Sequence, residues 1–437
     1  MKKNPIDSKD IVISGFALFA IFFGAGNLIL PPYIGLNAGQ NWIAAWMGFA
    51  LSGPLLTCLG MIAMAKNQGD TDQFAGKVGH KFSIILGSII ILCIGPFMSV
   101  PRTGATTFEV SVQPFIPSFS PVIFALIFFG ITLYFTINKT KAIDMIGNYM
   151  TPVLLVILFT IIIKGIFTPI SPTTIAGKGQ FNIGFLEGYQ TMDSLSPMVM
   201  AGMIISNFRD KGIISKKALA THTIYAELIA ATGLILVYGG LTFLGSKAFS
   251  VVPQGLSRSE LLSAIVHHFL GGFGNVALAL VVALACLTTS IGLITATGDF
   301  FSKITDNKLK YQHIVIMAVG VSAVLSIVGV NGIMTFSQPI LLAVYPVVIA
   351  LTFLNLFDKF IGSDLIYKTT VYSTLFVSIF SGIEAAGFKN FPLVKIFSRL
   401  PLWEYGFSWI LAAFIGLIGG ILFSTFSEKR TVDVVHD

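Results

Sequence analysis

Gly24-Ala25-Gly26-Asn27 interrupts an otherwise apolar stretch, and the types of residue in the interruption suit the capture of small ions. Glycine costs about 1 kcal/mol relative to alanine inside a helix. Pro31 and Pro32 follow about one turn later and lack the N–H groups that would bond back to the carbonyls of Asn27 and Leu28. Asn27 is expected to N-cap a second half-helix. N–H groups freed at that start carry partial positive charge and suit a carboxylate, which points to Gly24, Ala25, Gly26 and Asn27. Carbonyls freed at the end of the first half, near Ala20 and Phe23, suit a small cation. The plainer alternative is a proline-kinked packing helix. A nucleotide-binding fingerprint is excluded, because the third glycine is missing and the context is apolar throughout.

A second interruption reads Thr191-Met192-Asp193-Ser194-Leu195-Ser196-Pro197. Pro197 removes the bond back to the carbonyl of Asp193, as Pro31 does for Asn27. A carboxylate at this depth is costly and marks a functional site by default. Asp193 could hold a proton or a cation; alternatively Asp193 or Ser194 caps the second half-helix. Farther along, Ala285, Thr288 and Thr289 stand at i, i+3 and i+4, on one helical face. One carbonyl and two hydroxyls there, with two carbonyls from the first break, would give five hard oxygens, a plausible Na⁺ set. Hydroxyls bonding back within their own helix are the alternative. Phe97, beside Gly95-Pro96, and Arg102, after Pro101, complete the substrate-side candidates. Arg102 could pair with Glu109 or Asp193, or reach the interface by snorkelling. Tyr149, Tyr225, Glu227, Glu384, Pro339 and Pro346 are weaker candidates for a gate or pathway. His267-His268 has no clustered ligands around it, and Cys58, Cys93 and Cys286 read as packing residues.

These residues need helices in lipid to position them. Of 437 residues, 54% are hydrophobic and only 11% charged, under half the charged share of a soluble domain. Spans are expected at about 11–36, 41–65, 83–108, 119–137, 143–165, 186–207, 217–245, 273–298, 312–330, 335–357, 365–386 and 404–426. A thirteenth apolar segment, 257–269, is too short to cross; it opens with the capping pattern Ser257-Arg258-Ser259-Glu260 and is expected on the outer surface. With the N-terminus inside, nineteen of the 27 lysines and arginines fall on inner segments, seven on outer ones, and Arg102 within a span. That bias favours an even number of spans with both termini cytoplasmic. A cleaved signal peptide is not expected, since the apolar run continues past the first glycines. Spans one and six are both interrupted and each opens a block of five, which suggests inverted repeats at about 11–165 and 186–357. Paired interruptions of this kind point to a transporter site. No HExxH, P-loop or GxSxG motif is present, so neither an enzyme nor a nucleotide-driven pump is expected.

The run Gly15-Phe16-Ala17-Leu18-Phe19-Ala20 through Phe22-Phe23-Gly24-Ala25-Gly26-Asn27-Leu28-Ile29-Leu30-Pro31-Pro32 resembles the first helix of bacterial branched-chain amino acid:cation symporters. Gly95-Pro96 with Val100-Pro101-Arg102-Thr103 is similar to that family's third span, and Leu287-Thr288-Thr289 with Ile291-Gly292-Leu293 to its eighth. The resemblance covers essentially the whole chain. It implies uptake of leucine, isoleucine and valine driven by Na⁺ or H⁺, and a LeuT-like fold of five-plus-five inverted repeats with two added helices. It also implies a sodium site at Ala20, Phe23, Ala285, Thr288 and Thr289, with carboxylate recognition at Ala25 and Gly26.

The expectation is therefore an all-α membrane protein of about twelve helices forming one domain over 1–437, with helices 1 and 6 broken and helices 365–386 and 404–426 added. Substrate would be bound by Gly24, Ala25, Gly26, Asn27, Thr191, Met192, Asp193, Ser194, Phe97 and Arg102. No organic cofactor and no nucleic acid are expected. The partners are an amino acid, a monovalent cation and the bilayer of a bacterial plasma membrane, and the chain would act as a monomer. The hydroxyl pair favours Na⁺ as coupling ion, and Asp193 keeps H⁺ open. The rivals are a symporter of another small solute, such as a different amino acid or a nucleobase, and a channel, which would need a repeated filter.

Overall fold

The computed structural model describes residues 8–137, 150–168, 170, 179–249, 251–253 and 255–435, with side chains as far as 425. Tyr149, the start of the fifth expected span, and the loop lysines Lys2, Lys3, Lys139, Lys141 and Lys178 lie outside the described residues. The described residues contain helices and turns and no strand. In chain order the helices are α1 (Ser8–Phe22), α2 (Ala25–Ala38), α3 (Trp42–Ala50), α4 (Leu56–Lys66), α5 (Thr71–Ala75), α6 (His80–Leu92), α7 (Ser99–Thr107), α8 (Pro121–Thr136) and α9 (Thr151–Phe167). They continue with α10 (Gln180–Tyr189), α11 (Pro197–Asp210), α12 (Lys216–Ala248), α13 (Arg258–Ile304), α14 (Tyr311–Ser326), α15 (Val330–Leu356), α16 (Asp364–Ala385), α17 (Pro392–Phe397) and α18 (Ser408–Val435).

Continuous apolar runs explain why these segments are helical, since in lipid a span must satisfy its own backbone groups, and proline explains where they stop or bend. Two Gly-Pro pairs each open a wide turn inside a span. Leu51–Leu55 contains Gly53-Pro54 and Cys93–Phe97 contains Gly95-Pro96. The residue before proline is pushed out of the helical region, and Gly53 (φ −87°, ψ −107°) and Gly95 (φ −93°, ψ −120°) take up that distortion. The Gly53 carbonyl accepts from the Leu56 N–H and also from Thr57 Oγ1 at 2.8 Å.

α13 is 47 residues long, about 70 Å at 1.5 Å per residue and too long for one crossing. It bends at Gly271 (φ 66°, ψ −156°), a backbone conformation that glycine tolerates and other residues do not. The segment before the bend is the short helix expected at 257–269, with its cap formed: Ser257 N donates to Glu260 Oε2 at 2.9 Å and Glu260 N to Ser257 Oγ at 3.3 Å. It does not merely rest on a surface. Leu261, Leu262, Ile265, Val266 and Phe269 are buried, so one face of it is part of the core.

Glycine sets how closely the broken spans approach their neighbours. A Cβ on Gly35 of α2 would lie 2.0 Å from the Thr242 carbonyl of α12, and one on Gly245 of α12 would lie 2.0 Å from the Pro32 carbonyl. The same reciprocal contact joins α3 to α10. A Cβ on Gly48 would lie 2.0 Å from the Phe181 carbonyl, and one on Gly184 would lie 1.9 Å from the Ala45 carbonyl. Small residues at such crossings let two backbones touch, which is the main attraction available to helices in lipid. Away from these crossings, Lys77, Asp358 and Tyr367 form a cluster between helices; Lys77 pairs with Asp358, and Tyr367 donates to it at 2.8 Å. Burial alone would raise the Asp358 carboxyl, but the hydrogen bonds from Lys77 and Tyr367 outweigh it and hold the group below its ordinary range.

Gly35→Ala is expected to lower the melting temperature of the purified protein in detergent, because the new methyl overlaps backbone rather than a movable side chain. Overpacking of this kind costs about 1–3 kcal/mol or more. Gly130→Ala, on α8 where a Cβ meets nothing within 4 Å, is the control and should leave the melting temperature unchanged or slightly raised. Equal losses for the two variants would contradict the packing account.

Candidate functional site

The first break falls between α1 and α2. Gly24 (φ −101°, ψ −160°) is extended there, and its N–H donates to the Phe22 carbonyl at 2.8 Å and to Asn27 Oδ1 at 3.2 Å. The N-cap position is therefore occupied by Gly24 and not by Asn27, as the sequence had suggested. Asn27 stands one turn in and reaches back. This placement leaves Ala25, Gly26 and Asn27 as the first turn of α2, whose amides have no carbonyl to bond within the helix.

Asn27 uses its other end across the molecule. Its Nδ2 donates to Asp193 Oδ1 at 3.0 Å and Oδ2 at 2.9 Å, and also contacts the Tyr238 hydroxyl of α12. Tyr238 OH donates to Asp193 Oδ2 at 3.1 Å. Asn27 and Asp193 are each 2% exposed, so this carboxylate owes its stability to protein donors rather than water.

The second break runs from Gln190 to Ser196. Met192 adopts a left-handed conformation (φ 64°), Asp193–Leu195 forms a single tight turn, and Pro197 starts α11. The Asp193 carbonyl, expected to be free, accepts from Ser196 N at 3.0 Å, because the tight turn supplies the amide that Pro197 lacks. Neither Asp193 nor Ser194 caps α11 with its side chain. Ser194 Oγ instead donates to the Ser52 carbonyl at 2.7 Å and approaches that of Gly53 at 3.3 Å. The Gly-Pro bend of the second span thus supplies acceptors that hold the break of the sixth. Thr191 Oγ1 accepts from Asp193 N at 3.3 Å and donates to Gly188 O at 2.8 Å.

Arg102 lies between the two breaks. It is 1% exposed, donates through Nη1 to the Gln190 carbonyl at 2.6 Å, and packs so tightly on Gly26 that a Cβ there would stand 2.8 Å from Nη2. It neither snorkels nor forms an ion pair with Glu109. Glu109 is occupied elsewhere, accepting from Ser259 Oγ at 2.5 Å and Val330 N at 2.9 Å. Arg102 Nε has no partner among the described residues. Phe97 stands apart from the cluster, 40% exposed.

Hard oxygens converge just before the first break. Thr288 Oγ1 and Thr289 Oγ1 each lie 3.1 Å from the Ala20 carbonyl; Thr288 also reaches Ala285 O at 2.9 Å, and Thr289 reaches Ile21 O at 2.9 Å. Thr289 therefore bonds across to α1 rather than within its own helix. Of the five expected ligands, Ala20, Ala285, Thr288 and Thr289 come together. No hydrogen bond joins the Phe23 carbonyl to this group, while that of Ile21, not singled out from sequence, belongs to it. The donor set is neutral and all-oxygen, suited to a hard monovalent cation; no His, Cys, Asp or Glu cluster of metal-binding type occurs among the described residues.

Two cavities flank the second break, one lined by Gln190 at its start and one by Met198 just after it. One of about 390 Å³ is lined by Glu187, Tyr189, Gln190, Arg258, Asn331 and Met334. The other, about 420 Å³, is lined by Gln68, Thr71, Met198, Arg209, Asp299 and Lys303. Neither is lined by Asn27 or Asp193. Around the first, Arg258 pairs with Glu187 at 2.7 Å and lies 4.4 Å over the Tyr33 ring, tying α13 to α10 and α2. Near the second, Lys211 pairs with Asp10 at 3.0 Å.

The chain matches the family described as branched-chain amino acid transport protein over residues 7–427. It belongs to that family. Among its relatives are the branched-chain amino acid permease BraB of Bacillus subtilis (strain 168), 38% identical with 97% of each chain covered, and the permease BrnQ of Escherichia coli (strain K12), 33% identical over 99% of this chain and all of that one. Solved structures similar to it include a nucleobase-cation-symport-1 family transporter in a closed conformation (13% identity, TM-score 0.62, 96% and 93% of the chains). A Na⁺-coupled sialic acid symporter is similar too (13% identity, TM-score 0.60, 94% and 90% of the chains). This family member thus has the LeuT-type fold, is a multi-pass membrane transport protein and is not an enzyme.

Of the other candidates, Tyr225 is 53% exposed, and Glu384 accepts from Trp403 Nε1 at 2.8 Å in a packing role. Tyr238, Ser52 and Gln190 were missed from sequence. Gly53-Pro54 would have pointed to Ser52, since it repeats the Gly95-Pro96 signal; Tyr238 is one tyrosine in a long apolar helix and carries no such mark.

Asn27, Asp193 and Tyr238 form one network, so their substitutions should not add. In a thermal double-mutant cycle of Asn27→Ala and Tyr238→Phe, a coupling of about 0.5–3 kcal/mol is expected. Additive losses would show that the three groups act separately.

Proposed function

We propose that this protein imports leucine, isoleucine and valine by secondary active symport with Na⁺, through alternating access to the cluster at the two breaks. The observation that carries the coupling is the contact of the Thr288 and Thr289 hydroxyls with the Ala20 carbonyl, which ties the eighth span to the last turn before the first break. A cation held by Ala20, Ile21, Ala285, Thr288 and Thr289 would stiffen that joint, and the substrate would bind beside it. The family match supports a branched-chain substrate.

The substrate carboxylate is assigned to the first-turn amides of Ala25 and Gly26, with Arg102 beside them as a guanidinium suited to carboxylates. The ammonium goes to carbonyls of the second break. Asp193 ties the breaks together through Asn27 and Tyr238 and does not need to touch the ammonium. The reading takes twelve spans as five-plus-five inverted repeats with two added helices. In its support, each broken span is pinned by the same reciprocal glycine contact, α2 on α12 and α10 on α3. The charge bias of the loops supports a bacterial plasma-membrane orientation with both termini cytoplasmic. The two cavities would then be outer and inner vestibules, and a monomer contains the whole site.

Thr288→Ala tests the cation assignment in proteoliposomes. Loss of one ligand oxygen worth about 1.4 kcal/mol would raise the Na⁺ concentration for half-maximal leucine uptake about tenfold. An unchanged Na⁺ response would remove the site, and failure of valine and isoleucine to compete with leucine would remove the substrate assignment.

A further inference from the structure

Two carboxylates lie in the core of the broken-helix half of the molecule, and their surroundings are opposite. Asp193 receives hydrogen bonds from Asn27 Nδ2 and Tyr238 OH. Glu227, on α12, is 0% exposed, and neither of its carboxyl oxygens has a hydrogen-bond partner among the described residues. A carboxylate anion without donors at membrane depth is strongly disfavoured, whereas a neutral carboxylic acid is tolerated. We propose that Glu227 is a proton-binding site that is filled in this conformation and emptied during the transport cycle, so that a proton accompanies the cation and the amino acid. This rests on the transport reading above and adds a second coupled ion to it.

The geometry gives the site a path. Thr223, Glu227, Ala231, Leu234 and Tyr238 form one buried stripe on α12. Eleven residues separate Glu227 from Tyr238, three helical turns or about 16 Å. Glu227 therefore lies between the break cluster and the face at which α1 begins. α1 closes over it. Gly15 packs so closely that a Cβ would stand 2.9 Å from the Ala226 carbonyl, next in chain to Glu227. Displacement of α1 would admit water to the carboxyl, which would then release its proton to that side as Oε–H becomes Oε⁻ and hydronium.

Few other groups compete. α4 presents Cys58 to Glu227, and the second break presents Asp193. α1 carries Lys9 and Asp10 only in its first turn, with Asp10 held by Lys211. α11 has Arg209 and Asp210 in its last turn, and α13 has Asp299 and Lys303 near its end. Tyr33 of α2 and Lys164 of α9 belong to the opposite face, and α3 with the adjoining Leu51–Leu55 turn has no titratable residue. None of the described lysines and arginines provides Glu227 with a hydrogen bond.

The experiment uses the full chain in lipid vesicles. Infrared spectroscopy of the resting protein should show a protonated-carboxyl C=O band that disappears in Glu227→Gln and persists in Asp193→Asn. With equal Na⁺ and pH on both sides, the wild type should exchange leucine by counterflow, and a leucine gradient should acidify the lumen, read by a trapped pH dye. Glu227→Gln should keep counterflow and lose acidification to the leak level. A band unchanged in Glu227→Gln, or acidification equal to wild type, overturns the proposal. If Glu227→Gln does not fold, Glu227→Asp keeps the carboxyl and should shift the pH midpoint of acidification; an unchanged midpoint overturns it equally. Absence of leucine counterflow in the wild type would instead sink the transport reading, while the infrared band still decides whether Glu227 holds a proton.

Discussion

In lipid every backbone amide and carbonyl must find a partner inside the protein, and a helix broken in mid-membrane violates that rule on both sides of the break. Asn27 meets much of the demand. Its Oδ1 takes the N–H of Gly24, and its Nδ2 holds the Asp193 carboxylate of the other break. One side chain thus satisfies a loose amide and joins the two irregular segments. Other groups of the breaks pair in the same crossed fashion: Ser194 with the carbonyls of the bent second span, Arg102 with that of Gln190. The two breaks are thus joined by a connected set of hydrogen bonds in a low-dielectric interior, where such bonds reinforce one another, while Arg102 Nε and the first-turn amides of α2 stay open among the described residues.

Close backbone contact keeps that set in register. The reciprocal glycines of α2 with α12 and of α3 with α10 fix the half-helices next to the breaks. Gly26 serves a different purpose. Its missing side chain lets the Arg102 guanidinium lie against the first turn of α2. A positive side chain and the positive end of a helix are thereby brought together, an arrangement that is unfavourable unless an anion lies close by. Asp193 supplies one such charge from the second break, and in the proposed transport reading the substrate carboxylate would supply another.

Much of this was legible in the residues alone. Gly24-Ala25-Gly26-Asn27 marked the first break, Pro197 the second, and Thr288-Thr289 a hydroxyl face, because glycine, proline and helical spacing act locally. What could not be read was which distant groups meet. Asn27 is the best capping residue in its segment, yet the cap is Gly24, since Asn27 is pulled one turn away to reach Asp193. Arg102 had two carboxylates to choose from by sequence and took a backbone carbonyl, because Glu109 is held by Ser259 and Val330. Tyr238 entered through contacts 45 and 211 residues away, and Ile21 through one 268 residues away. Local rules located the irregular backbone; tertiary contacts decided how it was satisfied.

The two halves of the first span are not held equally. α2 meets α12 backbone to backbone at Gly35 and Gly245. The end of α1 is held by the Thr288 and Thr289 hydroxyls, and its start by a partly exposed ion pair between Asp10 and Lys211, a type of contact worth at most about 1 kcal/mol. Hydroxyls that donate to carbonyls can turn to offer lone pairs to a cation, so the contact between α1 and the eighth span depends on what occupies it. The packing of α2 does not. In the proposed transport reading, a change in ion occupancy would act on α1 first, and the break at Gly24 would let α1 move without disturbing the amides of α2. On the proposal above, the same movement would admit water to Glu227 on the neighbouring α12, so that the cation oxygens and the buried carboxyl would both respond to α1.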